Sequence, residues 1–147
     1  MQKPFLLTTL AAAVFSLSMT ATANGLPRNT APADAEVYIV TPQDGAVVDK
    51  TFAVKFGLKN MDISPAGIDK PGTGHHHLLI DTVETDLPDM NFILPTTDKL
   101  RHFGKGEMET QLTLAPGQHT LQLLMGDRLH IPHTAPVLSK KITITVK

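Results

Sequence analysis

The sequence predicts an all-β protein, an immunoglobulin-like antiparallel β-sandwich of six to seven strands preceded by a cleaved signal peptide. Apolar residues recur at every second position, as in "TFAVKFGL", where Phe52, Val54 and Phe56 share one face. Pro-Gly and Asp-Gly turn signals separate the alternating runs. Short strands joined by hairpin-scale links are typical of a sandwich of this type.

The alternating runs follow one another along the chain. Strands are predicted at about residues 36–41, 51–59, 75–82, 107–114, 118–126 and 137–146, with a short one near 46–48. In "EMETQLTL" the inward-facing residues would be Met108, Leu112 and Leu114. Residues 82–105 have weak periodicity, which indicates an excursion at one end of the sandwich, where functional residues tend to lie.

The N-terminus has the three parts of a secretory signal peptide. Lys3 precedes an apolar stretch from Phe5 to Met19, and the small triplet Ala21-Thr22-Ala23 follows. We therefore expect a signal peptide at residues 1–23, a flexible lead-in at 24–35 and a single domain at 36–147. An uncleaved anchor is the alternative, but the apolar stretch is shorter than the ~20 residues of a membrane helix. The expected location is periplasmic or secreted.

Composition limits the kinds of partner and ligand. The chain has no cysteine, so metal ligands would have to be histidine, methionine or carboxylate. Its formal net charge is −1 with neutral histidines, which gives no electrostatic argument for nucleic acid or an anionic membrane. We expect no nucleic-acid partner and no membrane span after cleavage.

Three consecutive histidines open the predicted strand in "PGTGHHHLLID". Alternation puts His76 on the face of Leu78 and Ile80, which predicts a structural residue at the rim of the core. His75 and His77 then project together from the opposite face, roughly 7 Å apart, a spacing that suits two ligands of one metal ion.

His119 shares its parity with Leu121, Leu123 and Met125 and follows a Pro-Gly turn. We interpret it as structural, with a ring N–H bonded to a loop carbonyl, in the role that a tyrosine has at the corner of many immunoglobulin-like domains.

Three more histidines, His102, His130 and His133, lie in predicted loops, in "LRHFGKGE" and "GDRLHIPH". Pro132 excludes a helix there. Because the loops of a sandwich gather at its two ends, these residues could meet His75 and His77.

The histidine-rich chain therefore predicts a surface metal site. Its ligands would be His75, His77, His102, His130 and His133, with Asp81 and Asp127 as further oxygen ligands or as partners that orient the imidazoles. A copper or zinc ion would suit such ligands.

Two other functions remain open. The same imidazoles and their basic neighbours could bind an anionic group of a cell-envelope glycan or a partner protein. A metal-dependent enzyme is less favoured, since no nucleophile elbow, metalloprotease helix or phosphate loop occurs, and no catalytic residue is predicted.

The segments "PAGIDKPGTGHHHLLID", "HFGKGEMETQLTLAPGQHTLQLLMGD" and "HIPHTAPVLSKKITITVK" closely resemble the bacterial family DUF4399. The resemblance extends over about residues 35–147. It implies an exported domain that carries this histidine set, and it implies no activity.

Overall fold

The computed structural model describes residues 26–147, so the predicted signal peptide lies outside the described residues. The strands are β1 (Glu36–Thr41), β2 (Val47–Val48), β3 (Thr51–Lys59), β4 (Asp62–Ile63), β5 (Thr73–Ile80), β6 (Leu100–His102), β7 (Glu109–Thr113), β8 (Gly117–Gly126) and β9 (Ile142–Val146). One 3₁₀ turn, Glu84–Asp86, follows β5. No helix in this part of the chain is long and apolar enough to cross a membrane.

The strands form two sheets, which confirms the all-β class. The smaller sheet has the order β1-β3-β7 and is antiparallel throughout. The larger sheet runs β2-β9-β8-β5-β4, and β6 also pairs with β5. Its central pairs are antiparallel, whereas the two short strands β2 and β4 pair in parallel. The larger sheet is therefore mixed, although the sequence predicts only antiparallel pairing.

The core lies between the two sheets. Val54 and Leu112 of the smaller sheet and Leu78, Leu123 and Ile144 of the larger sheet are all fully buried in one apolar cluster. Burying a side chain of this size contributes roughly 1.5–3 kcal/mol. The apolar residues of the alternating runs thus face the core, as the sequence predicts.

The outer face of the larger sheet is also covered. Leu79 of β5 and Leu124 of β8 pack there against Leu94 and Leu100 from the long excursion. All eight residues of β5 are consequently buried. The excursion folds back over the sheet and forms a second, smaller core.

Strand bounds differ from the prediction where local geometry intervenes. The strand predicted at 75–82 ends at Ile80, because Asp81 has a left-handed φ of 52°. Met108, predicted to point inward, is 41% exposed, because β7 begins only at Glu109. Strands β4 and β6 were not predicted, since two or three residues are too short to show a period.

Candidate metal centre

Four histidines from three separate segments converge on the outer face of the larger sheet. His75 and His77 lie on β5, His102 on β6, and His130 in the loop that follows β8. One ring nitrogen from each lies within 4.8 Å of those of the other three. We call these residues the histidine cluster.

Strand pairing positions three members of the cluster. His75 and His77 are two residues apart on β5 and so share its outer face. His102 pairs directly with His77 across the antiparallel β5–β6 ladder, which sets their side chains next to each other. The ring centroids of His77 and His102 are 5.1 Å apart, and that of His75 is 4.9 Å from each.

Two glycines beside the histidine cluster make room for its imidazole rings. Gly126 of β8 pairs with His75, and a Cβ at this position would lie 2.5 Å from Cε1 of His77. A Cβ at Gly104 would collide with the ring of His102. Glycine in or beside a strand often marks such a close approach, so Gly104 and Gly126 are a sequence signal of the crowded rings that the predicted site did not include.

A buried carboxylate shapes the loop that carries His130. Oδ1 of Asp127 accepts hydrogen bonds from the backbone N–H groups of Leu129 (2.8 Å) and Ile131 (3.1 Å), the residues on either side of His130. The N–H of His130 donates to the carbonyl of Asp127 at 2.9 Å. His130 is thereby held at a left-handed φ of 62°, which a residue with a side chain seldom adopts. Asp127 therefore acts on the backbone beside His130.

The segment before β1 joins the two loops around the site. The guanidinium of Arg28 donates to the carbonyl of Met90 in the excursion at 2.7 Å. The N–H of Asn29 donates to Oδ2 of Asp127 at 3.2 Å, and its carbonyl accepts from the N–H of Thr134 at 3.0 Å. Residues of the lead-in thus form hydrogen bonds with the excursion and with the loop that carries His130.

The surroundings keep His75 and His77, the two members of the cluster on β5, neutral. Burial, followed by the nearby His102 and His130, lowers the pKa of His75 to about 3. Burial, followed by His75 and the other two rings, lowers the pKa of His77 to about 2. Burial and His130 also lower the pKa of His102. A neutral imidazole retains a lone pair, which is the form that binds a metal.

Several ring nitrogens of the cluster lack a protein partner. Nε2 of His75 lies 3.1 Å from Nδ1 of His130, so one of these rings donates to the other. Among the described residues, Nδ1 of His75, Nδ1 of His77 and Nε2 of His102 are buried without a hydrogen bond. Buried polar atoms without partners are costly and uncommon, and a metal ion would satisfy those of His77 and His102. Nε2 of His76 and Nδ1 of His133, outside the cluster, are also buried without a partner. The donor set suits an ion that binds neutral imidazole.

The structure places His133 and Asp81 outside this group. His133 is fully buried, and its Nε2 lies 3.1 Å from the carbonyl of Thr73. The carboxylate of Asp81 accepts from the ring of His119 at 2.7 Å and from the N–H of Thr120 at 2.9 Å. The sequence predicts both as candidate ligands, but His133 instead contacts the backbone of β5, and Asp81 contacts residues of β8.

The two histidines interpreted as structural lie away from the cluster. His76 faces the core with its ring centroid 4.9 Å from that of Phe56, and burial lowers its pKa to about 4. Nε2 of His119 lies 2.8 Å from the carbonyl of Ala115, and the hydrogen bond to Asp81 raises the pKa of His119.

One expectation about the site is wrong. The sequence predicts His75 and His77 on an outward, exposed face, but they are 0% and 1% exposed. The parity is as predicted, whereas the exposure is not, because the excursion and the loop of His130 cover this face. The cluster is buried, with His102 and His130 only partly exposed at its edge.

Comparison with known proteins identifies one family. A family model described as "Domain of unknown function (DUF4399)" matches residues 54–147, which confirms the resemblance seen in the sequence. No curated protein and no solved structure matches the chain.

Proposed function

The chain belongs to the DUF4399 family, and since that family's description names no activity, we propose from the site itself that the protein binds a transition metal ion, copper or zinc. One observation carries the proposal: ring nitrogens of His75, His77, His102 and His130, from three parts of the chain, lie within 4.8 Å of one another. Adjacent ligands of a tetrahedral ion with bonds of about 2.0 Å are about 3.3 Å apart. The 3.1 Å between Nε2 of His75 and Nδ1 of His130 is close to that separation.

The chemistry of the site supports a cation over an anion. A glycan or a partner protein with an anionic group would need charged imidazoles. The low pKa values of His75 and His77 keep both rings neutral at physiological pH, and their burial limits direct contact with a large ligand. The glycan or protein partner remains the alternative, and the two hypotheses predict opposite effects of acid: metal binding weakens, while anion binding strengthens.

Thermal unfolding of chelator-stripped protein tests the proposal. A ligand present at 100 times its Kd stabilises the native state by about 2.7 kcal/mol, which for a protein of this size raises Tm by roughly 10 °C. We expect Cu(II) or Zn(II) to produce such a shift in the wild-type protein. His102→Ala and His130→Ala should reduce it, and these positions are partly exposed, so the variants should fold.

His119→Ala is the matched control, since it removes a histidine that lies outside the cluster. This variant should retain the metal-induced shift even if its Tm without metal is lower. An absence of any shift with Cu(II), Zn(II) and Ni(II), or shifts of equal size in His130→Ala and the wild type, would contradict the proposal.

We also propose that the protein is exported, with residues 1–23 as a signal peptide and residues 36–147 as a single sandwich of immunoglobulin type. The support is the N-terminal pattern of Lys3, an apolar stretch and Ala21-Thr22-Ala23, together with the two packed sheets. Mass spectrometry of the protein recovered from a periplasmic extract should give an N-terminus at Asn24. Recovery of the intact chain from the cytosol would refute it.

A further inference from the structure

The ring positions in the histidine cluster contain information about the kind of metal ion. The centroids of His75, His77 and His102 form a nearly equilateral triangle, with sides of 4.9, 4.9 and 5.1 Å. The centroid of His130 lies 4.9 Å from that of His75, 4.3 Å from His102 and 6.1 Å from His77.

Each coordination geometry requires its own set of centroid distances. With a metal–nitrogen bond of about 2.0 Å and about 1.2 Å from the nitrogen to the ring centre, each centroid lies about 3.2 Å from the ion. A tetrahedral ion then has centroids about 5.2 Å apart on every edge. A square-planar ion has sides of about 4.5 Å and two diagonals of about 6.4 Å.

The triangle of His75, His77 and His102 fits a tetrahedron and does not fit a square. Any three corners of a square include one diagonal, so one side of their triangle must exceed the others by about 40%. The triangle of His75, His77 and His102 has no such side, since its longest is 5.1 Å and its shortest 4.9 Å. These lengths also agree with the tetrahedral edge of about 5.2 Å.

His130 supplies the fourth corner. Its three distances place its ring roughly 4 Å out of the plane of the triangle, close to the height of a regular tetrahedron of that size. The 6.1 Å to His77 and the 4.3 Å to His102 show that this corner is displaced away from His77, so the tetrahedron is distorted. Its ring plane is also steeply inclined to those of His75, His102 and His77, by 76°, 76° and 90°. The fourth corner of a square would lie within the plane.

Backbone structure holds this arrangement. The triangle is built on the paired strands β5 and β6, so neither His77 nor His102 can move far without breaking the ladder. His130 is held by the loop bonds to Asp127 and by the N–H of Leu94, which donates to its carbonyl at 2.8 Å. Flattening the site into a square would require one of these backbones to shift.

We infer that the histidine cluster is a distorted tetrahedral four-histidine site selective for Zn(II), and that it disfavours the tetragonal geometry of Cu(II) and Ni(II). Unconstrained nitrogen ligands bind Cu(II) more tightly than Zn(II), so selectivity for zinc has to come from imposed geometry of this kind. A zinc ion with four protein ligands retains no open position for water or substrate. The site would therefore hold its ion in a structural or storage role. This inference rests on the proposed metal site and specifies it.

Co(II) substitution tests the geometry, since Co(II) takes the place of Zn(II) and its visible absorption is intense when tetrahedral and weak when six-coordinate. We expect chelator-stripped protein to bind one Co(II) per chain with the intense visible spectrum, and one equivalent of Zn(II) to abolish that spectrum. His119→Ala should give the same result as the wild type. His130→Ala, which keeps the strand triangle but removes the fourth corner, should bind Co(II) more weakly and with lower absorption.

The outcomes distinguish the coordination geometry of the site from metal binding itself. Co(II) bound with a weak, six-coordinate spectrum, or Cu(II) bound in tetragonal geometry that Zn(II) cannot displace, overturns the tetrahedral inference and leaves a metal site in place. Failure of Co(II), Zn(II) and Cu(II) to bind, measured by equilibrium dialysis, overturns the proposed function together with the inference.

Discussion

Replacing Asp127 should reveal how much of the site depends on one buried carboxylate. Its oxygens accept from three backbone donors: the N–H groups of Leu129 and Ile131 on Oδ1 and that of Asn29 on Oδ2. An unsatisfied buried donor costs about 1–3 kcal/mol, and hydrogen bonds to a charged acceptor lie toward the upper end. Only the bond to Ile131 is fully buried, so we expect Asp127→Ala to lower the free energy of unfolding by roughly 3–5 kcal/mol.

Asp127→Asn separates hydrogen bonding from charge. The amide oxygen can still accept at the Oδ1 position, while the NH₂ group faces the N–H of Asn29 and loses that bond. We expect a loss of about 1–2 kcal/mol for this variant. Both variants should weaken metal binding about 10–100-fold. Asp127→Ala no longer holds His130 at its left-handed φ, and both variants remove a negative charge near the cluster.

Urea unfolding at pH 7.5 with a chelator measures the first effect, and metal titration measures the second. With total stabilities of about 5–15 kcal/mol, most of the protein should remain folded in either variant. A loss below 1 kcal/mol in Asp127→Ala, or equal losses in Asp127→Ala and Asp127→Asn, would show that the carboxylate does not organise this loop.

Three further predictions follow from packing and charge. Gly126→Ala places a Cβ 2.5 Å from Cε1 of His77, so metal affinity should fall at least tenfold in a calorimetric titration, and unchanged affinity would contradict the ring position. Leu112→Ala should lower the free energy of unfolding by about 2–5 kcal/mol in urea and leave the spectrum of bound Co(II) as in the wild type, since Leu112 is buried in the main core and outside the cluster. The pKa of His119 is raised, first by its hydrogen bond to Asp81, so its stabilising effect is complete below the unfolded value of 6.5 and is lost as pH rises through the folded value. His119→Gln should therefore lower Tm more at pH 6 than at pH 9, and an equal loss at both would refute a charged imidazole.

Much of the architecture could be predicted because it depends on local alternation. The apolar periods of β3 and β8 locate these strands and their buried faces, and parity separates His76 from His75 and His77. Alternation is a property of neighbouring residues, so a sequence displays it directly. The same rule failed at Met108, where the strand begins at Glu109, two residues later than the predicted start at residue 107.

The composition and burial of the site could be determined only from the tertiary structure. The sequence determined which histidines share a strand face and that metal ligands, if any, had to be imidazoles, carboxylates or thioethers. Only the folded chain decided that this face is buried, that His102 pairs with His77, and that His130 rather than His133 completes the cluster. The reason is that these outcomes depend on contacts between distant segments: the excursion that folds over β5, and a loop whose shape comes from the buried carboxylate of Asp127.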